Sequence, residues 1–215
     1  MASSFPGALD SFTDPLSNSP LNSPSHSAQH ADLNDAAEKI ETYMGLVKVI
    51  PTSAINGTVG ATGTVTIGNA VGSVTVSGAF SSLYNHYRIV IANMGVSISN
   101  QFRMTFGATV TGYYYGVPLS TMSGGAYTYN SASNVAFIDL GSTNSGWKND
   151  FNFDVMSPNL PTTTKLQGFS FGNSAQYGGV GNGFVDGTTQ YTAFTFTPST
   201  GTLTGGTITV YGYRI

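Results

Sequence analysis

The 215-residue sequence has no cysteine. Disulfides and thiolate metal sites are therefore excluded, and the fold must hold by packing and hydrogen bonding alone. Charge is the second shortage: Asp, Glu, Lys and Arg make up 8% of the chain, where a soluble domain carries about 25%. Its seven basic residues are scattered, and phosphate neutralisation needs them clustered, so nucleic-acid binding through a basic surface is excluded. Long apolar runs are also missing. None approaches the ~20 residues of a membrane-spanning helix, and the opening MASSFPGALDSF has neither the basic nor the apolar region of a secretion signal. The expectation is a protein with no membrane insertion and no classical secretion.

What is present points to a folded β protein. Hydrophobic residues reach 40% and aromatics 12%, with 27 glycines, so there is apolar area to offset chain entropy. Uncharged Ser, Thr, Asn and Gly must supply the solubility. The charges also divide unevenly. Residues 1–50 carry six acids and two lysines, whereas the remaining 165 carry four acids and five basic residues, which suggests two physically different modules.

Residues 1–30 read as an extended arm. Pro6, Pro15, Pro20 and Pro24 block helix and central strand alike. Phe5, Leu9, Phe12, Leu16 and Leu21 recur every few positions, as suits a peptide lying along a partner's groove; a freely solvated tail is the alternative. A helix and linker follow over 31–50, capped by Ser25 or Ser27, with Asp32 and Asp35 toward its positive end and Gly45 and Pro51 closing it. Leu33, Ala36, Ile40, Tyr43 and Val47 are spaced 3, 4, 3 and 4 apart, the seam of a short coiled coil. So short a helix is marginal alone, and packing on copies of itself or on its own domain would stabilise it.

Residues 51–215 read as short strands separated by Gly, Asn, Ser and Pro. Candidates are 64–67, 73–77, 84–92, 96–106, 135–140, 150–156, 165–171, 191–197 and 207–213, with Asn56-Gly57 a turn signal. So many strands with no helix between them predict an antiparallel β-sandwich or jelly roll. Alternation puts Phe151 with Phe153, Phe169 with Phe171, and Phe194 with Phe196 on shared faces, and all three pairs are the expected core.

The chemistry-bearing residues are sparse. Glycoside hydrolysis needs two carboxylates about 5 to 9.5 Å apart, whereas Asp150 and Asp154 share a strand face at roughly 13 Å. Asp139 or Asp186 would have to complete a pair through the fold. His26 and His30 lack a third ligand at matching spacing, and HExxH is absent. Residues 178–183, GGVGNG, lack the Lys-Ser/Thr of a phosphate loop and read as a surface loop; Asn182 and Asp186 lack EF-hand spacing. The reading is non-enzymatic, with no cofactor and no metal. The remaining candidates are aromatic: Tyr113, Tyr114, Tyr115, Tyr127 and Tyr129 in a Gly/Ser-rich region, and Trp147 in the loop NSGW. Exposed Tyr and Trp beside Asn and Ser suit contact with a glycan or a protein, and a subunit interface suits them equally.

Three segments carry a family resemblance. LNSPSHSAQHADLNDAAEKIE (21–41) and SFPGALDSF (4–12) resemble the N-terminal regions of tailed-bacteriophage structural proteins, and GGTITVYGYRI (205–215) is similar to the closing strand of phage appendage β-sandwiches. Residues 46–50, LVKVI, depart from the pattern, in which the helix ends at a glycine. The resemblance implies a virion fibre or spike subunit, commonly a homotrimer. Its N-terminal arm would join it to tail, neck or capsid proteins, and its distal domain would attach to the host surface, through a glycan among other options. A capsid or neck decoration protein and a polysaccharide depolymerase are the alternatives.

Overall fold

A computed structural model describes residues 25–43, 45–120, 127–172 and 178–213. Phe5, Leu9, Phe12, Leu16 and Leu21 lie outside these. The chain divides into two compact units, one up to Gly45 together with the last two residues, the other from Leu46 to Tyr213.

Among the described residues of the first unit one helix, α1, runs from His26 to Tyr43. Ser25 caps it, its Oγ accepting from the Ala28 amide at 3.2 Å and its carbonyl from the Gln29 amide at 3.1 Å. The helix thus starts inside the stretch read as arm. Asp32 and Asp35 consequently fall beyond the first turn, where the helix dipole has faded. Leu33 and Ile40 are 59% and 44% exposed, while Ala36 is buried. Tyr43 is the last helical residue, with its side chain outside the described ones. Val47 does not continue the seam. Gly45, at φ +84°, ends the helical path, and Val47 lies in a strand opposite Gly212.

The second unit is an antiparallel β-sandwich. Its strands are β1 (Leu46–Lys48), β2 (Ser53–Ile55), β3 (Gly57–Val59), β4 (Val65–Ile67), β5 (Val74–Ser77), β6 (His86–Val96), β7 (Asn100–Phe106) and β8 (Tyr113–Ser120). They continue as β9 (Tyr127–Val135), β10 (Ile138–Thr143), β11 (Asn149–Met156), β12 (Thr164–Gly172), β13 (Gly178–Val185), β14 (Ala193–Pro198), β15 (Leu203–Thr204) and β16 (Thr207–Tyr213). Eleven form a larger sheet in the order β3-β4-β16-β6-β11-β12-β13-β8-β9, with β1 on β16 and β15 on β6; five form a smaller sheet, β10-β7-β14-β5-β2. Asn56, at φ 59°, is the corner where the chain passes from β2 in the smaller sheet to β3 in the larger. The Asn-Gly signal marks a crossing between sheets here, not a hairpin.

The core lies between the sheets. Phe102 of β7 meets Phe151 of β11 at 4.8 Å between ring centroids and Phe196 of β14 at 5.0 Å. Phe80 plugs one end against Tyr87, Phe106 and Phe194, and the Tyr87 hydroxyl donates to the Ser81 carbonyl at 2.7 Å. Phe151, Phe153, Phe194 and Phe196 are buried as expected.

Phe169 and Phe171 are not core: they are 51% and 54% exposed. On β12 the inward residues are Thr164, Leu166, Gly168 and Ser170. A Cβ on Gly168 would lie 2.2 Å from the Asn152 carbonyl oxygen and 2.4 Å from a Phe153 ring carbon, so the small residue must face in and the phenylalanines face out. The GGVGNG run is likewise not a loop but strand β13, hydrogen-bonded between β12 and β8. A Cβ at Gly179 would collide with Leu119 and one at Gly183 with Ile138, so the glycines leave the interior space that their neighbours fill.

Candidate functional site

The register of the larger sheet aligns the side chains on its outer face, the one turned from the smaller sheet. One row runs Met156, Lys165, Phe184 and Tyr114 across β11, β12, β13 and β8. The next runs Asp154, Gln167, Asn182, Gly116 and Ser131. In a third, Asn152, Phe169 and Val180 are neighbours, and Pro118 pairs with Tyr129.

Between the first two rows lies a groove of about 550 Å³, lined by Tyr114, Gly116, Tyr129, Met156, Lys165, Gln167, Asn182 and Phe184 among others. That volume is within the range of small-ligand sites. Tyr114 and Phe184, opposite each other on β8 and β13, stack at 4.6 Å with their planes 8° apart. Tyr129 lies across Gly116, where a Cβ would come within 2.7 Å of its hydroxyl. Gly116 is thus the space into which that ring settles. Gln167 and Asn182 oppose each other on β12 and β13, offering two primary amides whose donors and acceptors can meet neighbouring hydroxyls.

The expected aromatic residues therefore divide. Tyr114 and Tyr129 belong to the groove, whose lining also includes Tyr115, and Tyr127 is exposed two residues away on the same edge strand. Tyr113 is corrected to a core residue. It faces inward and is fully buried, its hydroxyl accepting from the Phe106 amide at 2.8 Å and donating toward the Thr109 carbonyl at 3.2 Å, and burial pushes its pKa up to about 12. Tyr115 also turns inward. It is half-buried beside Phe137, 6.1 Å between centroids, and burial raises its pKa, with the nearby Asp139 charge adding to the effect. Trp147 stands exposed in the turn between β10 and β11 and does not line the groove. Sequence reasoning missed Phe169, Phe171, Phe184, Lys165, Gln167 and Gly116. The signal available for the first two was the small residues, Gly168 and Ser170, alternating with them.

The four carboxylates of this unit are all engaged. Arg88 grips Asp154 with two hydrogen bonds, Nε–Oδ1 2.8 Å and Nη2–Oδ2 2.7 Å, and the Tyr213 hydroxyl donates to Asp154 at 2.6 Å. Partial burial pushes the Asp154 pKa up, but the bonds from Arg88 and Tyr213 and the Arg88 charge outweigh it, so the pKa lies below the usual value. Asp150 accepts from the Asn93 amide at 2.7 Å and ties down a bulge in β6. Asp139 is buried, accepting from Gly141 N–H at 2.9 Å and from Asn130; burial nevertheless raises its pKa. Asp186 accepts from Thr163 at 3.4 Å. Among the described residues no group of three or more His, Asp or Glu could hold a metal ion, and no helix is long and apolar enough to cross a membrane.

No protein-family model matches the chain, and no curated protein matches it either. Among solved structures it is similar to a glycosyl hydrolase family protein from Mycobacterium fortuitum, at 8% identity over 73% of this chain and 77% of that one, TM-score 0.23. It is also similar to the laminarinase from Rhodothermus marinus, at 11% identity over 73% and 80%, TM-score 0.20. At such TM-scores neither likeness carries a fold or an activity to this chain.

Proposed function

We propose that the chain is a non-enzymatic attachment subunit, a bacteriophage fibre or spike protein. Its N-terminal arm, with Phe5, Leu9, Phe12, Leu16 and Leu21, joins it to other virion proteins, its helix gathers three copies, and the outer face of its larger sheet meets the host envelope. The observation that carries this reading is that face. Phe169, Phe171, Phe184, Tyr127 and Tyr129 are all exposed on it, although nothing in the packing of the sandwich requires aromatic residues there. Beyond the stack of Phe184 on Tyr114 and the seat of Tyr129 over Gly116, a monomer gains little in folding from so many exposed rings on one sheet face, and they present a surface suited to contact.

Two further observations support the reading. Leu33 and Ile40 leave apolar side chains exposed on a helix whose stability rests on packing, and a coiled coil of copies would cover them. The engagement of Asp139, Asp150, Asp154 and Asp186 in structural contacts favours binding over hydrolysis.

The full chain is the material for the test, by sedimentation and by binding to purified bacterial envelopes. The expected result is a particle of three times the 22.4 kDa chain mass that binds envelopes, reduced to a monomer by Ile40→Asp. A monomeric parent chain would overturn the assembly, and a trimer that binds no envelope would leave only the decoration role.

A further inference from the structure

We propose that the groove between Tyr114, Phe184 and Tyr129 binds an anionic saccharide, with the Lys165 ammonium anchoring the sugar's negative group. The inference rests on the outer face being an attachment surface, and goes beyond it by naming the class of ligand.

The sandwich has few charges, and four of its five cations show how Lys165 stands apart. Arg88 is neutralised by Asp154. Arg103 has its guanidinium 3.9 Å above the Phe137 ring and donates to Gln101. Lys48 donates to the Thr64 hydroxyl at 2.6 Å. Lys165 differs from these. Its cross-strand neighbours are Met156 and Phe184, both uncharged, and among the described residues no carboxylate lines the groove beside it. Among the described residues the one formal charge lining this groove is positive, so the charge it complements is negative.

The rest of the lining selects a sugar over other anions. The stacked Tyr114–Phe184 pair is an apolar platform against which the C–H face of a pyranose ring can lie, and the Tyr129 hydroxyl gives the opposite wall a polar edge. Gln167 and Asn182 supply planar amides between them, able to donate to and accept from adjacent hydroxyls. A simple inorganic anion would use neither the rings nor the amides. A nucleic acid would need several cations along its backbone, and among the described residues the groove has one. A carboxylate-bearing and a phosphate-bearing sugar share the required chemistry.

The experiment presents the full chain to an array of uronate-bearing, phosphate-bearing and neutral oligosaccharides, in parallel with binding to whole envelopes. The parent is expected to retain anionic members only. Lys165→Met should weaken them about tenfold and Lys165→Arg should restore most of the binding. Tyr114→Ala should weaken every member the parent retains. Raising salt from about 50 to about 500 mM should weaken the parent but not Lys165→Met. Unfolding midpoints, expected to match the parent's for the exposed Lys165 and to fall modestly for Tyr114→Ala, which loses its stack on Phe184, separate a binding defect from misfolding. Equal retention of neutral sugars, or binding indifferent to Lys165→Met, overturns the anionic assignment. Envelope binding with no sugar retained overturns the groove while leaving the attachment face standing, and failure of both removes the two readings together.

Discussion

Two adjacent strands of the larger sheet carry the same Phe-x-Phe pattern and treat it in opposite ways. On β11, Phe151 and Phe153 are sealed between the sheets; on β12, paired directly to it, Phe169 and Phe171 stand half out in solvent. Hydrophobicity of the phenylalanines cannot account for the difference, because it is the same in both strands. The residues between them decide it. On β11 the alternate positions are Asn152 and Asp154, which water favours, whereas on β12 they are Leu166, Gly168 and Ser170, with Gly168 set against the Asn152 backbone and the Phe153 ring. Space inside the sandwich determines which face of β12 turns inward, and aromatic rings are left where folding does not need them.

Variants that exchange the properties of the two strands test this account, and the largest effect belongs to the buried pair. Phe153→Ala should cost about 3–5 kcal/mol in urea unfolding, because it opens a cavity under a fully buried ring. Gly168→Ala should follow, at about 1–3 kcal/mol, since its methyl group must displace backbone on the neighbouring strand. A small loss there would mean that β12 could have turned its phenylalanines inward.

The two faces also treat a carboxylate oppositely, and pH sharpens that contrast. Asp139, inside, has its folded pKa raised above the ordinary 3.8, so the fold favours its protonated form. Its contribution is present below about 3.8 and lost as pH rises through the folded value. Asp154, outside, has its pKa depressed by Arg88 and Tyr213 against the effect of burial. Its contribution is present above 3.8 and lost as pH falls through the folded value. Unfolding midpoints between pH about 3 and about 7 should show Asp139→Asn removing a decline on the rising side and Asp154→Asn removing one on the falling side. The smallest stability effect belongs to the exposed pair: Phe169→Ser with Phe171→Ser should stay within about 0.5 kcal/mol of the parent per site.

Much of the fold was legible because it depends on composition and period. The strand-rich sandwich, the single helix and its Ser25 cap, and the buried Phe151/Phe153 and Phe194/Phe196 pairs follow from alternation and capping chemistry. What stayed hidden depends on contacts between distant residues. Strand β13 was unreadable because its glycines serve Leu119 and Ile138, far away in sequence, rather than any local turn. The three consecutive tyrosines revealed that faces must alternate but not which tyrosine points inward. That is settled by the Phe106 and Thr109 backbone groups waiting for the Tyr113 hydroxyl. The groove was the least legible feature, since it takes residues from β8, β9, β11, β12 and β13 and exists only once their register is set.

The most direct test of the central claim, that the outer aromatic face is kept for attachment, is envelope binding by the full chain carrying Phe169→Ser and Phe171→Ser together, with its melting followed alongside. The account predicts binding lost and melting unchanged. Binding retained with melting sharply lowered would contradict it, because the rings would then be structural.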